Sequence, residues 1–159
     1  MARGAHTTKK RDITPDPIYG SILLAKFINR IMISGKKTVA QKVVYDAFEM
    51  IKAKGNDPLA TFEKAIDTIS PKVEVKARRI GGAAYQVPSE VRGPRKMSLA
   101  FRWLLEATKK RPNSEYKTFA AKLAAEIIDA SNNVGESTKK RDVVHKMAEA
   151  NKAFAHFRF

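Results

Sequence analysis

The stretch PKVEVKARRIGGAAYQVPSEVR, residues 71–92, decides the fold, because the spacing of apolar residues changes period there. Val73, Val75 and Ala77 alternate with Glu74, Lys76 and Arg78. After Gly81-Gly82, Tyr85, Val87, Ser89 and Val91 alternate with Gln86, Pro88, Glu90 and Arg92. A period of two belongs to a strand, whose side chains point alternately to opposite faces. Two such runs around a pair of glycines predict a β-hairpin, since its tight loop needs positive φ and glycine adopts it without a steric penalty. Pro88 has no N–H for a central ladder position. No other run supplies a strand to extend the sheet. The hairpin is therefore expected to be a lone ribbon, which is marginal in water unless it packs on a neighbour or binds something.

On both sides of the ribbon the period is helical. Ile22, Leu23, Phe27, Ile28 and Ile31 share one face up to Ser34-Gly35, read as a C-cap. Ala40, Val43, Val44, Ala47, Phe48 and Ile51 mark a second helix closed by Gly55. Asp57-Pro58 is a start signal for a third, with Asp as N-cap and Pro in the first turn. That helix buries Phe62, Ala65, Ile66 and Ile69 and stops at Pro71. Beyond Pro94 come Met97, Ala100, Phe101, Leu104 and Leu105. After a break at Pro112-Asn113-Ser114, Phe119, Ala120, Leu123, Ala124, Ile127 and Ile128 form another face. Val143, Val144, Met147, Ala148 and Ala150 form the last. The fold class is mainly α: a single domain of about six helices with a two-stranded β-hairpin inserted between the third and fourth.

The chain of 159 residues carries 31 Lys and Arg against 16 Asp and Glu, a net charge of +15, with a pI of about 10.1. Hydrophobic residues make up 43%, enough for a core. Charge of one sign at this level opposes compaction until a polyanion neutralises it, and nucleic acid is the usual polyanion for such a domain. Cysteine is absent, which removes disulfides, thiolate metal sites and a Cys nucleophile. No apolar run approaches the ~20 residues of a membrane span. The first eleven residues hold Arg3, Lys9, Lys10 and Arg11 with no apolar stretch after them, unlike a signal peptide. The expected setting is cytoplasmic, with no membrane partner, small-molecule substrate or cofactor.

These features divide the chain into a basic extended arm (1–17), ending in Pro15-Asp16-Pro17, a helical RNA-binding domain (18–153) with the ribbon at 72–92, and an aromatic and basic tail (154–159). Basic residues cluster in the ribbon region (Lys72, Lys76, Arg78, Arg79, Arg92, Arg95, Lys96), at Lys109-Lys110-Arg111 and at Lys139-Lys140-Arg141. Each cluster taken alone reads as a solvated helix face or as phosphate contact; the collective excess favours contact with a folded RNA. Tyr85 suits cover of the ribbon's apolar face or base stacking, and Trp103 suits packing. Phe154, Phe157 and Phe159 read equally as RNA-stacking or core-docking groups. His6, His145 and His156 have no metal-ligand spacing. Gly35-Lys36-Lys37-Thr38 lacks the leading glycine of a phosphate loop, and no paired carboxylates stand out. An RNA-processing enzyme therefore finds no support. A DNA architectural protein with a minor-groove arm is the competing reading; it lacks an apolar wedge at the tip, where only Ile80 qualifies.

The stretches LLAKFINRIM (23–32), Gly35-Lys36-Lys37 with VVYDA (43–47), the whole of 71–92, Arg102-Trp103 and KKRDVVHKMAEANKAFAH (139–156) resemble, end to end, the family of bacterial-type small ribosomal subunit protein number seven. The resemblance implies a helical domain with a ribbon after its third helix. It implies a structural role in the small subunit: primary binding to the 3′ major domain of the rRNA, nucleation of head assembly, and a place near the mRNA exit channel and exit-site tRNA. Neighbouring small-subunit proteins are implied partners. Carried over by position, the rRNA-facing residues are Arg3, Lys9, Lys10, Arg11, Lys36, Lys37, Lys76, Arg78, Arg79, Arg92, Arg95, Arg102, Lys139, Lys140 and Arg141. The tRNA- and mRNA-proximal ones are Arg79, Gly81, Gly82, Ala83 and Tyr85.

Overall fold

A computed structural model of the chain describes residues 12–157. Arg3, Lys9, Lys10 and Arg11, and the last two residues of the tail, lie outside them. The order of elements is α1 (Ile22–Ile31), α2 (Lys37–Ala53), α3 (Pro58–Ile69), β1 (Val73–Ile80), β2 (Ala83–Glu90), α4 (Gly93–Lys110), α5 (Phe119–Ser131), α6 (Glu136–Ala150) and a 3-10 helix (Lys152–Phe157). The ribbon is inserted between the third and fourth helices, as the change of period predicts.

Helix starts follow their caps. The side chains of Ser21, Asp57 and Thr118 accept the N–H of Leu24, Leu59 and Ala121, satisfying donors that a first turn otherwise leaves without partners. The end of α1 differs from the sequence reading. It stops at Ile31, and Ser34 and Gly35, at φ 53° and 73°, turn the chain into α2. The core centres on α5, which packs against α2, α3 and α4. Its buried face alternates Leu123 and Ile127 with Ala120, Ala124 and Ala130, so neighbouring helices approach closely. Phe62 sits between Phe27 and Phe48, with ring centroids 5.0 and 5.8 Å away, and Phe101 extends the cluster from Phe27 at 5.3 Å. Such tilted ring pairs add to the stabilisation from burial alone.

Asp12 to Pro15 are exposed and lack regular structure, whereas Asp16 is buried at 3% exposure. Its carboxylate accepts the N–H of Ile18 and Tyr19 and the hydroxyl of Tyr45, at 2.7 Å. Burial and that bond to Asp16 push the Tyr45 phenol up to about 12.

The ribbon's register pairs Val75 with Pro88, Lys76 with Val87, Arg78 with Tyr85 and Ile80 with Ala83. Gly81 and Gly82 form the two-residue loop at φ 57° and 89°; a Cβ on either would meet nothing, so φ alone selects glycine there. This register sends the two apolar alternations to opposite faces. Val73, Val75 and Ala77 share one face with Gln86 and Pro88, while Tyr85 and Val87 share the other with Glu74, Lys76 and Arg78. At the foot Val87 and Glu74 are buried, whereas the distal half from Lys76 to Arg79 is exposed. The ribbon packs on α6, and β2 also packs on the 3-10 helix. Tyr85 meets Phe154 and Phe157 at ring-centroid distances of 5.4 and 5.2 Å. The tail's described aromatics thus dock on the ribbon, the packing alternative of the two that the sequence leaves open.

Candidate nucleic-acid interface

Two helices begin on a cation. Lys36 is the N-cap of α2 and Arg92 that of α4; neither makes a side-chain capping bond, and neither first turn holds an acid. The N-terminal end of a helix carries partial positive charge, so a cation there costs about 0.3–1 kcal/mol relative to an anion. An external phosphate relieves this, and the backbone N–H groups face it. Lys37 and Arg92 are exposed, as is Arg102 on α4.

On the ribbon, Glu74 gathers two of the expected cations. Lys76 Nζ lies 3.2 Å from one carboxylate oxygen and Arg95 Nη2 3.1 Å from the other. The carboxylate is nearly buried, with 10% side-chain exposure, while Lys76 and Arg95 keep 55% and 54%. Both cations are thus held in place and still face water. Arg78 and Arg79 are exposed and adjacent in sequence, so they project from opposite faces. Gly81, Gly82 and Ala83 are exposed at the tip. Tyr85 is half-buried, with its ring against the chain's own tail.

The cluster on α6 is more occupied. Lys139 pairs with Glu136 at 2.8 Å, and Lys140 pairs with Glu106 of α4. Arg141 donates to the Thr68 carbonyl at the end of α3 at 2.6 Å and pairs with Asp142; only 16% of its side chain is exposed. It ties α6 to α3, and a cation near a helix C-terminus is favourable in itself.

The cluster at Lys109-Lys110-Arg111 divides. Lys109 and Lys110 are exposed, but Arg111 turns inward. Its guanidinium lies 2.6 Å from Glu126, which is 1% exposed, and also binds Asp129. Glu126 in turn accepts the N–H and hydroxyl of Ser137 at the start of α6, at 3.2 and 2.7 Å. Lys122, nearly buried, donates to the Arg111 carbonyl and to Asn113. Gly135 closes the site: its φ is 103°, and a Cβ there would stand 3.0 Å from Glu126. This corrects the sequence reading twice. Arg111 faces the interior instead of presenting a free cation, and paired carboxylates do exist, three residues apart on α5. The signal available was two acids on one face of an otherwise Ala- and Ile-rich helix.

The sequence reading also passed over Arg30. It lines a groove with Lys36 and Lys109, and a neighbouring hollow with Arg102 and Lys109. These four cations from α1, α2 and α4 therefore form one basic surface. His145 is structural: its Nε2 accepts the N–H of Lys72 at 3.1 Å at the ribbon's foot. Burial, then the charge of Arg141, hold its pKa below the ordinary histidine value, which keeps that nitrogen free to accept. Among the described residues no group of acids and histidines could hold a metal, and no helix is long and apolar enough to cross a membrane.

The family model described as Ribosomal protein S7p/S5e matches residues 3–152. The chain belongs to that family. Its relatives include the small ribosomal subunit protein uS7 of Marinomonas sp., 55% identical over 152 residues that make up 94% of this chain and 95% of that protein. Those of Desulforamulus reducens and Alcanivorax borkumensis are each 56% identical over 151 residues, with the same coverage. The match to the S7p/S5e family spans the ribbon, both cation-capped helices and the inward-facing Arg111 alike.

Proposed function

We propose that this chain is a structural component of the small ribosomal subunit in the cytoplasm, binds its rRNA, contacts neighbouring ribosomal proteins and catalyses no reaction. One observation carries the reading: on a chain of net charge +15, exposed cations stand on a projecting ribbon and at two uncapped helix starts, in a fold of the S7p/S5e family. Separated patches of this kind suit a polyanion folded into several helices better than one straight duplex. In finer terms, the chain binds the 3′ major domain of the rRNA first and nucleates assembly of the head. Lys36, Lys37, Lys76, Arg78, Arg79, Arg92, Arg95 and Arg102 are the phosphate contacts on the described part. The tip from Arg79 to Ala83 approaches the exit-site tRNA and the mRNA exit. Lys139 and Lys140 contribute at the edge, while Arg141 acts mainly inside the protein.

Competitive binding across a salt series tests this, with the 3′ third of the rRNA against duplex DNA of equal length. Both affinities should fall steeply with salt. RNA should win by orders of magnitude near physiological salt. Equal binding, or a preference for DNA, would move the architectural-protein reading to first place.

A further inference from the structure

A groove of about 460 Å³ lies between the end of α1, the start of α2, the last turns of α4 and the first residue of α5. Met32, Ile33, Val39, Val43, Leu105 and Phe119 give it an apolar lining. Ile33 and Val39 at its lip are 71% and 56% exposed, an unusual amount of aliphatic surface to leave beside a hollow. The charged residues of the lining are Arg30, Lys36 and Lys109, all cationic. The adjoining hollow adds Arg102 and one acid, Glu106, which Lys140 already holds.

Sign and apolarity together select the occupant: it must carry both apolar surface and negative charge. A second copy of a chain at +15 has the wrong sign. An unstacked nucleotide has both properties, a base with apolar faces flanked by two phosphates. The groove falls within the range of about 300–1,000 Å³ typical of small-molecule sites, enough for a nucleotide. Phe119 in the lining is the kind of side chain on which splayed-out bases stack.

We propose that this groove receives one unstacked nucleotide of the rRNA, its base in the apolar hollow and its flanking phosphates on Arg30, Lys36 and Lys109. The proposal rests on the rRNA-binding reading and adds a contact to a base to the phosphate contacts.

The test uses the full chain and the 3′ third of the rRNA, with affinity and nucleotide-resolution footprinting as readouts. Ile33→Glu and Val39→Glu place a carboxylate on the lip at exposed positions, where thermal melts should match the unaltered chain. Val134→Glu, at a site 61% exposed in the α5–α6 turn, makes the same charge change away from the lining. The lip variants should bind about tenfold more weakly than Val134→Glu, and one unpaired nucleotide should lose its protection. Lip variants that match Val134→Glu in affinity and footprint would overturn the proposal while leaving rRNA binding intact. An unchanged footprint with weakened uptake into assembled subunits would assign the groove to an acidic protein segment and overturn it equally. No RNA preference in the unaltered chain would remove both readings.

Discussion

Glu74 and Glu126 are both nearly buried carboxylates that bind arginine, yet they do opposite things. At the ribbon's foot, Lys76 and Arg95 reach Glu74 from a half-exposed position and keep much of their surface in water. Between α5 and α6, Arg111 is itself mostly buried, at 15% side-chain exposure, and its partner Glu126 has no access to solvent worth the name. A cation with its face in water can exchange a carboxylate for a phosphate. A cation enclosed with its acid cannot, because separating them leaves charge unpaired in a medium that solvates it poorly. Access to solvent, and not the pairing chemistry, separates the proposed binding residues from the structural ones in a chain with cations everywhere.

Breaking the enclosed pair should have the largest effect. Arg111→Met should lower the unfolding free energy by about 3–5 kcal/mol in urea titrations, since Glu126 is left buried without its cation. A change below 1 kcal/mol would mean that water replaces the guanidinium and that the two sites are alike.

The exposed side of the contrast is read in binding. Arg78→Ala and Arg79→Ala should each lower the slope of log affinity against log salt by about 0.7–0.9, one phosphate's worth. Stability should stay within about 0.5 kcal/mol of the unaltered chain. Because the two side chains leave opposite faces, the double variant should add both losses; a single loss shared by the pair would mean that only one face meets RNA.

Glu74→Gln tests the ribbon's own pair. Its partners stay solvated, so stability should change by less than about 1 kcal/mol. RNA affinity should rise modestly, since a negative charge beside the proposed phosphate contacts is gone. A fall in affinity would show instead that Glu74 matters by aiming Arg95 and Lys76.

The smallest effect is a titration at the ribbon's foot. His145 has a folded-state pKa below its unfolded value, so its contribution is complete above about pH 6.5. As pH falls below that, the unfolded chain takes up the proton first and stability declines, levelling off below the folded pKa. Thermal melts of His145→Gln and the unaltered chain between pH 7.5 and about 5 should therefore differ in slope, with the histidine form losing more as pH drops.

Much of this was legible in the sequence. The switch from a helical period to a period of two at Val73, and back after Pro94, located the ribbon, and Asp57-Pro58 placed the start of α3. The bias toward cations singled out the ribbon as a candidate surface, whereas Lys36 and Lys37 at the start of α2 came from the family resemblance. What escaped was everything set by contacts across long stretches of chain. The anchoring of Asp16 depends on Tyr45, and the inward turn of Arg111 depends on Glu126 and Asp129. Local composition sees only a basic triplet at Lys109-Lys110-Arg111. Pairing of the two ribbon strands likewise depends on register, which put their apolar residues on opposite faces although each strand read correctly by itself.

The packing of Phe154 and Phe157 on Tyr85 also has a consequence in time. Protein synthesis delivers β1 and β2 first and their aromatic support last, after the whole of α4, α5 and α6 has been made. Until Phe154 and Phe157 leave the exit tunnel, the ring of Tyr85 lacks the two aromatic partners it meets in the folded chain. A chain cut before Phe154 would keep the buried core cluster and yet carry a ribbon without its aromatic support. The aromatic clasp on the ribbon therefore closes only after α6 has been made.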